Sequence, residues 1–265
     1  MFCDRDVGTF LEGIRLKKNA NNLLCLCVCI CALASPLFAG SADGYPSLAY
    51  QEGKSIVWKV GDVPVWRFPL AAKAEVAEMS HRFNRLYGGG FGLKDLHVIE
   101  RNGTWSLCVK DQVLFTAAPR HAVDPKLSPE KISLMWLSRI YEAVGAMHAE
   151  ALTPKHKLRG GYDIETSVSW YGDKLVGRNF ANGECFTKTH LTAAAKNLPF
   201  GTLVRVTTPA TGRSVVLRVT DRFPEHKGRA LDISQAAAEV LGIKGMGVAK
   251  ARVQVIGSVN RIGGK

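Results

Sequence analysis

The chain has 265 residues, 46% hydrophobic and 22% charged, with a formal net charge of +12. That balance fits one or two folded domains with their own cores and excludes disorder, collagen-like sequence and a long coiled coil. Of 7 cysteines only Cys108 and Cys185 lie beyond position 31, which rules out a disulfide framework, and no 20–50-residue repeat recurs to suggest a solenoid.

Taken in chain order, the first feature is an export signal. Arg15, Lys17 and Lys18 precede the apolar run Leu23 to Ala34, and small residues at Ala39-Gly40-Ser41 follow it. That run is too short to cross a hydrocarbon layer of roughly 30 Å. Residues 1–39 are therefore expected to be a cleaved signal peptide, with no transmembrane anchor in the mature chain and a periplasmic or cell-envelope location. The cysteines sit inside the apolar stretch rather than after it, which does not favour lipidation. Cleavage leaves a net charge of +11, because four basic and three acidic residues go with the signal. A cationic exported protein concentrates near polyanions. No zinc-finger spacing, phosphate loop or aromatic RNA-binding pattern is present, so nucleic acid is not expected as a partner, and no metal or organic cofactor is implied.

Residues 48–150 predict a small α+β accessory domain. A hairpin around Gly61-Asp62 comes first, followed by a helix over Ala71–Tyr87 carrying Val76, Met79, Phe83 and Leu86 at helical spacing. Three strands follow, Leu96–Glu100, Trp105–Lys110 and Val113–Ala117, the first two joined across Asn102-Gly103. A second helix from Pro129 aligns Ile132, Trp136, Ile140 and Val144. His81, His97, His121 and His148 are scattered and form no catalytic set. Residues 151–165, with Pro, paired Gly and four basic side chains, read as a linker.

Residues 166–257 predict a mainly β domain. Strands are expected at Ser167–Tyr171, Leu203–Thr208, Ser214–Thr220 and Ala251–Ile256, with one helix from an N-capping Ser234 to Leu241 stopped by Gly242. Short strands with one or two short helices suggest a small closed barrel. The strings SWYG at 169–172, ANGE at 181–184, LTAAAKNLPFGTLVRVT at 191–207, GRSVVLRVTDRFP at 212–224 and GRALDIS at 228–234 resemble the rare lipoprotein A (RlpA) family, endolytic peptidoglycan transglycosylases. The resemblance implies a six-stranded double-psi β-barrel with a glycan groove across one face, a barrel shared with barwin, expansins and some inverting cellulases. Peptidoglycan glycan strands are the implied partner; protein partners stay open.

The chemistry of such a groove can be stated on its own terms. Cleaving the MurNAc-β-1,4-GlcNAc bond needs a proton for the leaving oxygen and removal of one from the attacking group. In a lytic transglycosylase the attacker is the muramoyl C6 hydroxyl, so a 1,6-anhydro end forms without water. One carboxyl can serve first as acid and then as base if burial or a like charge raises its pKa. The resemblance implies Glu184 in that role, Asp221 as its partner and Asp232 as a third candidate. The structural alternatives are a solvated loop for Glu184, a strand-end ion pair for Asp221 and a helix cap for Asp232.

Trp170 and Tyr171 are candidates to stack on sugars, although strand alternation places one of the two in the core. Arg178, Arg218 and Arg222 are candidates for substrate carboxylates. Where the family commonly has Thr-Ala-Ala-His, this chain has Thr192-Ala193-Ala194-Ala195, so the expected histidine is absent, and His190 is more readily a surface residue than its substitute. Phe223 replaces the usual Gly of Asp-Arg-Gly-Pro. Cys185 beside Glu184 has no His and Asn/Asp pair to make it a nucleophile. The alternative to an enzyme is a non-catalytic peptidoglycan-binding module like expansin or barwin.

Overall fold

A computed structural model describes residues 46–259 except 123, 149–153, 160 and 225–227, and the side chains of His148, Pro154 and Asp173 are likewise not described. The expected signal peptide lies outside the described residues. Among the described residues no helix is long and apolar enough to cross a membrane.

The first part consists of two antiparallel three-stranded sheets and two helices. Strands β1 (Ser47–Glu52), β2 (Ser55–Val60) and β3 (Val63–Pro69) form one sheet in that order, and β4 (Leu96–Arg101), β5 (Thr104–Val109) and β6 (Gln112–Thr116) form the other. Asn102 and Gly103 both take positive φ (52° and 76°), the left-handed pair that a two-residue hairpin turn demands. Helix α1 (Lys73–Gly89) runs two residues past its predicted end, through Gly88 and Gly89, and stops at Gly90 with φ +69°.

Helix α2 (Pro129–His148) departs more from its pattern. The sequence predicts one apolar stripe, yet Ile132, Leu134, Trp136, Leu137, Ile140, Tyr141, Ala143 and Val144 are all buried. A helix buried around most of its circumference needs cover on two sides. One side of α2 lies against β3, β4 and β5, and the other against the barrel strands described next.

The second part closes on itself. Strands β7 (Asp163–Tyr171), β8 (Thr192–Ala194), β9 (Thr202–Thr207), β10 (Ser214–Asp221), β11 (Arg229–Ser234) and β12 (Val248–Ser258) make a barrel in the order β10-β8-β11-β7-β12-β9. The pairs β10/β8 and β11/β7 are parallel and the others antiparallel. β7 starts inside the stretch expected as linker, because Asp163 is held by Arg252 and Gln254 across the β12 register. β8 and β11 carry no simple alternation: all three β8 residues are buried, and β11 has a bulge between Arg229 and Leu231. One apolar core runs from Ile56 and Phe83 through α2 to Val206, Leu217 and Val253.

Helix α3 (Gln235–Leu241) is capped as its sequence predicts. The Ser234 hydroxyl accepts from Ala237 N–H at 3.3 Å, and Gly242 closes the helix at φ +75°. The same hydroxyl accepts from Thr192 N–H of β8 at 3.4 Å. Ser234→Ala should therefore cost about 1–2 kcal/mol in urea unfolding, the upper part of the usual capping range. A loss below ~0.5 kcal/mol would show that the second bond contributes nothing.

Candidate active site

Between β7 and β8 the chain turns back in a short hairpin over Gly177–Phe186. Gly177 N–H donates to Phe186 O at 3.0 Å, Phe186 N–H to Arg178 O at 2.9 Å and Phe180 N–H to Glu184 O at 2.8 Å. Gly183 closes the turn at φ +87°, a conformation that L side chains resist. Asn182 braces the tip twice, since its Oδ1 accepts from Glu184 N–H at 3.1 Å and its Nδ2 donates to Glu184 Oε1 at 2.8 Å. Phe180 and Phe186 turn inward and pack with Tyr171 in a small apolar cluster that anchors the hairpin to the barrel.

The hairpin tip docks on the end of β10. Asn182 N–H donates to Thr220 O at 3.2 Å and Ala181 N–H to Asp221 Oδ1 at 2.9 Å. From β10, Arg218 reaches Glu184 with both terminal nitrogens, each 2.6 Å from a different carboxylate oxygen. Arg218 is 5% exposed, so the guanidinium end of this forked pair is shielded from salt and water. Burial pushes the Glu184 carboxyl up, but the Arg218 guanidinium, with help from Asn182 and His190, holds it below the ordinary carboxylate value. The raised carboxyl that an acid role expects of Glu184 is therefore not what its surroundings favour, because the buried guanidinium beside it favours the carboxylate.

Asp221 ends β10 just past a bulge between Val219 and Asp221. Its Oδ1 accepts two backbone N–H groups, from Ala181 at 2.9 Å and its neighbour Arg222 at 2.8 Å. Asp221 and Asp232 both pair with Ala194 of β8, one from each side. Their backbones are therefore two strand spacings apart, roughly 10 Å. Asp232 Oδ1 accepts from the Ser169 hydroxyl at 2.6 Å. It does not cap α3, a role that Ser234 fills. Both aspartates act on the buried phenol of Tyr171, whose pKa is pushed up, chiefly by burial. Glu184, Asp221 and Asp232 thus gather at one end of the barrel.

Several expected ligands are occupied by the fold. Tyr171 is 9% exposed and its hydroxyl meets Thr192 Oγ1 at 2.6 Å, so its ring cannot stack on a sugar. Trp170 is partly buried against the main core, and its indole nitrogen has no partner. Arg218 is committed to Glu184. Arg222 is exposed, but its Nη1 donates to Ala195 O (3.3 Å) and Leu198 O (2.8 Å) and its guanidinium lies over Phe200, which makes it a clamp on the turn after β8. Only Arg178 among the expected basic ligands is exposed without such a commitment.

Ala195 is buried, and its N–H donates to Asp221 O at 3.1 Å. His190 is not the surface residue the sequence suggests. It packs beside Phe180 and Phe186, and burial, Arg218 and His97 together lower its pKa to about 4 against the pull of Glu184. Cys185 is exposed on the hairpin.

Sequence reasoning misses the contribution of the first part of the chain. Tyr141 of α2 bears electrostatically on Arg218, and the Thr189 hydroxyl donates to Val98 O of β4 at 2.6 Å. Nothing local marks Tyr141; the hint was the polar Ser138, Tyr141 and Glu142 beside the apolar stripe of α2.

Residues 164–254 match the family described as lytic transglycolase. A probable endolytic peptidoglycan transglycosylase RlpA of Nostoc sp. is 52% identical over 92 residues, 34% of this chain and 25% of the relative. One of Synechocystis sp. is 33% identical over 172 residues, 58% of this chain and 52% of the relative, so that likeness reaches beyond the barrel. An expansin of Clavibacter michiganensis aligns at a TM-score of 0.30 and 20% identity, over 36% of this chain and 50% of its own. The chain thus spans between a quarter and about a half of the curated relatives it matches. With six strands closed in two parallel and four antiparallel pairings, residues 164–254 are similar along their length to the lytic transglycolase family and to the RlpA relatives.

Proposed function

We propose that this protein is an exported lytic transglycosylase that cleaves the MurNAc-β-1,4-GlcNAc bond of peptidoglycan strands and leaves 1,6-anhydroMurNAc ends. The single observation that carries the reading is the docking of the Glu184 hairpin on the end of β10, which brings Glu184 and Asp221 to one end of the barrel. Support also comes from the relatives, whose names give that activity. Residues 1–39 serve as the export signal and the mature chain works in the cell envelope.

Roles follow from the electrostatics. Breaking the bond between muramoyl C1 and the glycosidic oxygen leaves positive charge near C1, and an ionised Glu184 stabilises it. As the C6 oxygen bonds to C1, Glu184 accepts the C6 hydroxyl proton. The leaving oxygen also needs a proton; Asp221 is the second carboxyl bound to the same hairpin, and its Oδ2 has no hydrogen-bond partner among the described residues. Asp232, fixed by Ser169 on the far side of β8, borders the site. Arg178 offers a cation to muramoyl or peptide carboxylates.

The test is turnover on purified sacculi by the mature protein, with released muropeptides identified by mass spectrometry. Wild type should release anhydromuropeptides, and Glu184→Gln and Asp221→Asn should each lower release by about 100-fold or more. One observation favours a second reading, a non-catalytic glycan-binding module: Glu184 is tied to a buried guanidinium and Ala195 supplies no imidazole. Sacculus binding with no anhydro product from the wild type would establish that reading instead.

A further inference from the structure

The α+β half bears on the carboxylate centre directly. Two side chains on one face of α2 fasten it to the barrel: Ser138 Oγ accepts from Val216 N–H of β10 at 2.8 Å, and Glu142 Oε1 accepts from Arg205 Nη2 of β9 at 2.7 Å. Tyr141 lies between them, one turn beyond Ser138, while Arg218 lies two residues beyond Val216. This register sets the phenol behind the guanidinium. Gly145, one turn further on, permits the close approach, since a Cβ there would meet the Leu203 side chain at 2.9 Å. The Tyr141 hydroxyl donates to Leu96 O of β4 at 3.3 Å, so its oxygen can still accept a hydrogen bond. Arg218 Nε has no hydrogen-bond partner. The orientation of the guanidinium therefore depends on Glu184 in front and on what packs behind.

We propose that α2 is a working part of the reaction centre: the Tyr141 hydroxyl, anchored on β4, positions the Arg218 guanidinium and through it the Glu184 carboxylate. Tyr141 touches no substrate and is a positioning residue. A shift of a few tenths of an ångström in Arg218 would carry straight to both carboxylate oxygens, because the fork holds them at 2.6 Å. The α+β segment then serves the site as its rear wall. The catalytic part of this inference rests on the proposed transglycosylase reading; the positional part does not.

Tyr141→Phe in the otherwise intact mature protein tests it, since it removes one oxygen and keeps the ring in its core position. Turnover number on sacculus glycan should fall about tenfold with KM within twofold of wild type. The loss should be non-additive with that of Arg218→Lys, because both act through one pair. A second readout needs no activity: the Glu184 carboxyl followed by carbon NMR through a pH titration. Its surroundings are Arg218 from β10, Asn182 and His190 from its own loop and Tyr141 from α2, with His97 of β4 bearing on His190. Loosening Arg218 weakens the pull on the carboxylate, so the Glu184 midpoint should rise by about half a unit. An unchanged midpoint overturns the proposal even if the wild type proves inactive. With an active wild type, unaltered turnover or strictly additive losses overturn it too.

Discussion

Arg218→Met should lower stability by about 3 kcal/mol and abolish release of anhydromuropeptides. The stability figure is the low end of the cost of stripping one partner from a buried ion pair, because Glu184 keeps 23% of its side-chain surface in solvent. Burial would then be opposed only by Asn182 and His190, and the Glu184 carboxyl would rise from its present lowered position. The variant's carboxyl would carry a proton closer to neutrality, and its charge would no longer meet the developing cation. Denaturant unfolding reads the first effect and the product assay the second. Arg218→Lys should recover part of the stability and little of the rate, since one ammonium cannot hold both oxygens in a fork. A stable and fully active Arg218→Met protein would show that the pair is incidental to the reaction.

Mild acid, between pH 7 and pH 5, should destabilise the protein through its buried histidines. His190 is held neutral by burial and Arg218, with a folded pKa of about 4, and His121 is lowered by its complete burial and by Arg120. An unfolded histidine titrates near 6.5. Between these values the unfolded chain binds more protons than the folded one, so stability rises with pH. The stabilisation is full above the unfolded value and is lost as pH falls toward the folded one. For His190 the loss amounts to about 2 kcal/mol between pH 7 and pH 5, at roughly 1.4 kcal/mol per pH step below the unfolded pKa. Below the unfolded glutamate value the Glu184–Arg218 pair adds to it: Glu184 has a lowered folded pKa, so its contribution is lost as pH falls through that value. Urea unfolding at pH 7 and pH 5 measures the difference. His190→Phe, which suits the neighbouring Phe180 and Phe186 rings, should flatten the slope; equal stability of the wild type at both pH values would refute the account.

Much of the fold was legible along the chain because it depends on local rules. The Asn102-Gly103 turn, the Ser234 cap and the Gly242 stop all follow from backbone chemistry within a few residues. β8 was not legible as a strand: three buried residues, Thr192–Ala194, carry no alternation, and their pairing partners lie on β10 and β11. α2 read as a helix with one apolar face, whereas the barrel lies against its other side.

The site divides in the same way. Glu184 and Asp221 could be named from their motifs, and the hairpin that carries Glu184 follows from Asn182-Gly183. The charge state of Glu184 could not. Whether Glu184 rests as acid or carboxylate depends on Arg218, which lies 34 positions away and looked like a substrate ligand. His190 looked like a surface residue until Phe180 and Phe186 were placed beside it.

By itself the sequence determined most of the local elements and the likeness of the barrel to a known family, since propensity, capping and motif act over short stretches of chain. Only the tertiary structure decided which arginine is buried, which imidazole stays neutral and which helix backs the carboxylates. Those properties come from desolvation and from opposite charges meeting across space, and neither has a counterpart in the order of residues along the chain.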